Sequence, residues 1–239
     1  MKKALFFAAF LISTPFIHAQ DAHEVVAKHL KATGGDKWAN INSIKMDANI
    51  ASDAAAGMTI GWSMTAIRDK AARMDVSVMG MEQTVVVNGD AGWATNPFAG
   101  QNDPEPLTDD QIKSMSDMTD IDGTLVGYKE KGYKLEYVGT EDVEGVDCIK
   151  IKVDKGEKTE YSFFDPETYY EIKRVDVQDV DGKSVESETL YSNFKDQDGI
   201  VMPFTIQQVG GGMGNSTITM TKLEFNPEVD NAIFEMPKK

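Results

Sequence analysis

The chain has 239 residues, 41% apolar and 26% charged, with 39 acidic against 24 basic side chains and a formal charge of −15. Such an acidic balance argues against nucleic acid or an anionic lipid surface as the main partner, because both are polyanions. With Cys148 as the single cysteine, no intrachain disulfide can form.

The first elements are those of an exported protein. Lys2 and Lys3 precede an apolar run from Ala4 to Ile12, then Ser13, Thr14 and Pro15, and Ile17-His18-Ala19 ends on a small residue. That order predicts a cleavable signal peptide over residues 1–19 and a single domain over 20–239. The run is shorter than the roughly 20 residues a bilayer-spanning helix needs. No cysteine near residue 20 could accept a lipid anchor, so the expected location is the periplasm, unanchored.

Asp21 to Thr33 predicts a helix, with Val25, Val26, His29, Leu30 and Ala32 as a loose apolar stripe and Gly34-Gly35 as its stop. From Ile44 onward β-branched and aromatic runs predict strands. They fall at Ile44–Ile50, Thr59–Ile67, Arg73–Val78, Gln83–Asn88 and Gly92–Thr95. After an interruption they resume at Lys134–Gly139, Cys148–Val153, Thr159–Phe164, Tyr170–Val177, Val185–Phe194, Ile200–Val209 and Ser216–Phe225. Turn dipeptides separate many of them, among them Glu144-Gly145, Asp165-Pro166, Asp181-Gly182 and Asp198-Gly199. Gly210-Gly211-Gly212 predicts a further turn. Close spacing makes this an antiparallel meander rather than alternating βαβ units. Ile149, Ile151 and Val153 alternate with Lys150 and Lys152, so one face is buried and one is wet. Pro203 inside its strand predicts an edge position or a bulge.

The interruption, Asn96 to Tyr128, reads as a loop from Gly100 to Pro106 and then a helix over Thr108–Asp117. Thr108 with Gln111 makes a capping box, and Ile112, Met115 and Met118 share helical spacing. About a dozen strands and two helices leave a sandwich with helical caps or a sheet curled around the helices. The helices favour the curled sheet, whose hollow side they can fill.

Sites for chemistry are hard to assemble. His23-Glu24 with His29 misses the zinc-helix spacing, since the second His falls five residues after the Glu. Asp176 to Gly182, with Glu188 beyond it, partly imitates a calcium loop, but a solvated hairpin is the better reading. There is no nucleophile elbow, phosphate loop or dinucleotide fingerprint, and Cys148 has no neighbouring His. No enzyme, metal or cofactor is expected. The unusual feature is methionine, 13 in all, including Met58, Met64, Met213 and Met220. Two clusters stand out: Met74, Met79 and Met81 on early strands, and Met115 and Met118, with Ile112, on the second helix. Adaptable side chains of this kind suit a cavity for flexible apolar ligands, strand-lined and helix-lidded.

One long stretch resembles a known family. Arg68, Ala72-Arg73-Met74-Asp75, Glu82 to Val87, Asn88-Gly89-Asp90-Ala91-Gly92-Trp93 and Thr95-Asn96-Pro97-Phe98 are similar, in order and spacing, to the early strands of the periplasmic lipoprotein carrier (LolA-like) superfamily. Phe164 to Thr168, Asp198 to Phe204, Asn226-Pro227-Glu228 and Phe234 to Pro237 resemble its C-terminal hairpins. Gly34-Gly35 with Trp38 resembles its outer-membrane lipoprotein-sorting branch. The resemblance implies an incomplete, half-open antiparallel β-barrel of about eleven strands, with helices covering the concave face. It implies carriage of lipoprotein acyl chains, or another lipid, toward the outer membrane. Inner- and outer-membrane sorting components are the implied partners, and the protein is expected to act as a monomer. The other role compatible with the fold is a non-enzymatic periplasmic sensor or protein-interaction module. Trp93, on the aromatic strand of the match, joins the expected ligand lining. The resemblance also implies a strand arginine that holds the lid closed. Arg68 matches that position best, but Asp69 stands where the family has proline, so Arg73 is the alternative.

Overall fold

The structure is a computed structural model that describes residues 21–156, 158–180, 183–211 and 214–238. The expected signal peptide, Asp181-Gly182 of one predicted turn, Gly212 of another and Met213 lie outside these residues.

Among the described residues thirteen strands form one antiparallel sheet in the order β6-β5-β4-β3-β2-β1-β13-β12-β11-β10-β9-β8-β7. The first meander comprises β1 (Ser43–Ser52), β2 (Ile60–Ile67), β3 (Ala71–Val78), β4 (Met81–Asn88), β5 (Ala91–Asn96) and β6 (Gln101–Pro106). The second comprises β7 (Lys134–Val143), β8 (Val146–Asp154), β9 (Thr159–Phe164), β10 (Glu171–Val180), β11 (Lys183–Gln197), β12 (Ile200–Gly211) and β13 (Gly214–Phe225). Pairing of β1 with β13 joins the two meanders, with Ile44 opposite Phe225 and Ser52 opposite Ser216. The sheet is mainly β and half-open as expected, because β6 and β7 are edges and the barrel does not close.

Three expectations are corrected in detail. The strands number thirteen instead of about eleven, and the loop read over Gly100 to Pro106 is strand β6. Pro104 and Pro106 made it look like loop, yet an edge strand tolerates residues that cannot donate to a ladder. The second helix, α2, is shorter than predicted: it runs Asp109–Met115 and tightens into a 3₁₀ turn at Ser116–Thr119. Its capping box is formed, with the Thr108 N–H donating to Gln111 Oε1 at 2.9 Å and the Gln111 N–H to Thr108 Oγ1 at 3.4 Å. Pro203 sits in the half of β12 preceding the ladder to β13, which begins at Thr205 opposite Thr219, so it occupies a local edge.

The order of strands dictates what covers the sheet. Leu107–Tyr133 leaves β6 at one edge and must enter β7 at the other, so it crosses an entire face. A flat sheet of this size would separate its edges by about 58 Å, at about 4.8 Å per strand. A crossing segment that coils into a helix and turns covers that face only if the sheet curls around it. Its contacts trace the crossing. Ile112 and Leu107 lie over Gly92 of β5, where an added Cβ would stand 3.5 and 2.8 Å from them. Met118 and Ile121 pack with Ile44, Ala66, Phe204 and Leu223 in mid-sheet, and Leu125 and Tyr128 with Ile149 and Ile151 of β8.

Helix α1 (Ala22–Ala32) shares this inner face. Asp21 caps it by accepting from the His23 N–H at 2.9 Å, and Thr33 closes it with its hydroxyl on the His29 carbonyl. Val25 and Val26 are buried against Ile149, Ile151, Val153 and Phe164. Gly34, at φ 135°, lets the chain turn where a Cβ would crowd Ile200 at 3.1 Å. A 3₁₀ turn, Gly35–Asn40, then buries Trp38 edge-on against Phe225. The outer face is closed differently. The C-terminal tail lays Val229, Ile233 and Phe234 on Ala71, Val86 and Trp93.

Candidate ligand-binding site

Strand register assembles an apolar row on the inner face. Leu223 of β13 faces Met46 of β1, Met46 faces Met64 of β2, Met64 faces Met74 of β3, and Met74 faces Val85 of β4. The three methionines are half-buried, and Met118 and Ile121 of the crossing segment pack onto the same cluster. Methionine here is a deformable lining between sheet and lid.

Arg68, at the β2–β3 turn, ties that lid down. Its guanidinium donates from Nε to the Ile41 carbonyl at 2.7 Å and from Nη2 to the Trp38 carbonyl at 2.6 Å, and Nη1 pairs with Asp122 Oδ2 of the crossing segment. Asp69 adds a backbone bond to the Thr119 carbonyl at 3.2 Å. Arg73 points to the other face, where it forks onto Asp75 and reaches the Ile233 carbonyl of the tail. Of the two arginines, only Arg68 touches the lid.

A half-open cavity of about 200 Å³ lies between the lid and the second meander. One side is apolar, formed by Trp38, Ile121, Val126 and Met202. Ile121 and Met202 also belong to the methionine-lined cluster, so the cavity borders the row. The other side is polar, with Asp122, His29, Glu171, Arg174 and Tyr191.

Beneath that polar side is a buried ionic cluster. Glu160, 1% exposed, accepts from Lys155 Nζ at 3.1 Å and from Thr124 Oγ1 of the lid at 3.0 Å, with Arg174 Nε at 3.5 Å. Arg174 forks onto Glu171 at 3.1 and 2.8 Å. Burial alone would raise the Glu171 carboxyl, but the Arg174 guanidinium outweighs it and holds that carboxyl below its ordinary range. Burial would likewise lower Arg174, yet Glu171 drives it well above its usual value. Burial lowers His29 and raises the Tyr191 hydroxyl, so both are neutral at pH 7. His29 Nδ1 lies 2.9 Å from the Tyr169 carbonyl, which makes Nδ1 the protonated nitrogen and leaves Nε2 an acceptor.

The structure brings Arg68, Met74, Ile112, Met115 and Met118 to the inner face or its lid, with Met115 half-buried at the end of α2. It places three other expected lining residues elsewhere. Met79 is 82% exposed at the β3–β4 hairpin tip, and Met81 is exposed beside it. Trp93 is 5% exposed on the outer face, beneath the tail, with its indole N–H donating to the Phe234 carbonyl at 3.1 Å. Strand alternation accounts for that: Val85 and Val87 face inward, so Val86 and its partner Trp93 face out. The ionic cluster was not foreseen from the sequence. Its one sequence trace is Glu160 in Thr159-Glu160-Tyr161-Ser162-Phe163-Phe164, an acid in an aromatic strand, on the face that Phe164 buries under α1. Cys148 lies buried on the outer face with Val143 and Phe163, and burial pushes its thiol up to about 11, which keeps it protonated at neutral pH. Among the described residues no helix is long and apolar enough to cross a membrane.

No family model matches the sequence, and no curated protein matches it. Solved structures do. A Vibrio parahaemolyticus domain named for outer membrane lipoprotein sorting superposes with a TM-score of 0.60 at 13% identity, over 90% of this chain and 97% of that one. A LolA superfamily protein from Nitrosomonas europaea gives 0.58 at 12% identity, and a DUF1329 family protein from Desulfovibrio piger 0.56 at 13%. Each is covered over 97% of its length by 90% of this chain. At such identities the likeness establishes the fold, which is LolA-like.

Proposed function

We propose that this protein is a non-catalytic periplasmic carrier that holds the acyl chains of lipoproteins, or of another lipid, on its inner face and moves them toward the outer membrane. The observation that carries the reading is the half-buried row Met46, Met64 and Met74 beneath a lid latched by Arg68. A core would bury such a row completely; a carrier leaves it available. Burial of chain methylenes supplies about 0.8 kcal/mol each, so no catalytic or covalent group is needed. The fold shared with a domain named for lipoprotein sorting supports the same reading.

The test is equilibrium binding of a fluorescent fatty-acyl probe to the purified protein. Saturable fluorescence that an unlabelled amphiphile displaces is the expected result. The substitution Met64→Asp, which puts a carboxylate mid-row, should abolish it. A folded protein that leaves the probe in solution would refute carriage.

A further inference from the structure

The cavity under the lid has a polar side on which two side chains keep an acceptor free. Asp122 lines it, is 10% exposed, and keeps one buried carboxylate oxygen, Oδ1, without a hydrogen-bond partner while Oδ2 meets Arg68. His29, neutral through burial, spends its Nδ1 proton on the Tyr169 carbonyl, so Nε2 has a lone pair to offer. Glu171 adds a second carboxylate. Arg174 is the cation of the wall, and its Nε–H and one Nη2–H go to Glu171, with Glu160 close by. A buried acceptor left unpaired costs the free energy of its lost hydration, so a site of this kind is completed by a donor.

We propose that the cavity is the head-group subsite of the carrier, and that it selects acyl amphiphiles whose head presents N–H or O–H donors, such as an amide or hydroxyl head, over heads that only accept or carry negative charge. Its volume of about 200 Å³ is below that of a site for a whole drug-sized ligand and suits a head with its first methylenes. Ile121 and Met202 lead from it to the methionine row, where the chain would lie. Asp122 thus serves two partners at once, Arg68 through Oδ2 and the head through Oδ1.

This inference rests on the acyl-binding reading, and one experiment separates the two. Dodecanoyl ethanolamide and methyl dodecanoate carry the same acyl chain and no charge, so the net charge of the protein cannot bias the comparison. Each competes below its solubility limit for the bound fluorescent acyl probe. The expected result is displacement by the ethanolamide at about tenfold lower concentration than by the ester, as one hydrogen bond to a charged acceptor supplies. In Asp122→Asn, and separately in His29→Phe, that gap should narrow. Displacement by both heads at equal concentrations, or a gap unchanged in both variants, overturns the subsite and leaves carriage standing. Failure of the probe to bind at all overturns both.

Discussion

Arg68 and Asp122 stand 54 residues apart in sequence and form the ion pair that fastens the crossing segment to the β2–β3 turn. The pair is partly buried, 23% and 10% exposed, and Arg68 also satisfies two carbonyls that end the 3₁₀ turn before β1. One side chain thus joins three chain segments.

Its removal should therefore loosen the lid before the sheet. Arg68→Leu strands a buried carboxylate and should cost about 2–4 kcal/mol. Hydrogen exchange should quicken across residues 107–133 while the strands stay protected. The double variant Arg68→Leu, Asp122→Leu should recover part of that loss, since no unpaired charge is left. A double variant as unstable as the sum of the single ones would show that the two side chains are not coupled.

Glu160 is the second fastening, and a deeper one. Glu160→Ala leaves Lys155 and Arg174 without their shared carboxylate and frees Thr124, so urea unfolding should show a loss of about 3–5 kcal/mol. Glu160→Gln keeps the shape and an acceptor and should lose less.

Acid should weaken the fold in two steps of the same sign. His29 is lowered in the folded state, so below the unfolded value of about 6.5 the unfolded chain binds the extra proton and stability falls with pH. Glu171 is also lowered, so its contribution is full above its unfolded value of about 4.3 and is lost as pH falls through its folded value. Denaturation midpoints between pH 7 and 5.5 should decline in the native protein and flatten in His29→Gln. An unchanged slope in that variant would assign the decline to another group.

Gly92 is required by close approach. A Cβ there would lie 2.6 Å from the Val86 carbonyl and 2.8 Å from Leu107 Cδ1. Gly92→Ala should lower stability by about 1–3 kcal/mol, and it should release the Leu107–Ile112 stretch to proteolysis first. Gly89→Ala, where nothing lies within 4 Å but φ is 60°, should carry only the smaller backbone cost of about 1 kcal/mol.

What the sequence by itself determined was local. Alternation marked the strands, turn residues such as Asn88-Gly89, Glu144-Gly145 and Asp198-Gly199 marked several of the hairpins, the Thr108–Gln111 pair marked the start of α2, and the Arg68 region carried the likeness of fold. These depend on neighbours a few residues apart, and period-two and period-3.6 patterns survive in one dimension. Tertiary structure decided which side of the sheet each pattern serves. A one-residue alternation sends Trp93 to the outer face and Met74 to the inner one, and the curl of thirteen strands brings the lid over β9 and β10. Glu160, Arg174, His29 and Asp122 meet only there, because burial and the crossing of Leu107–Tyr133 from edge to edge place them together.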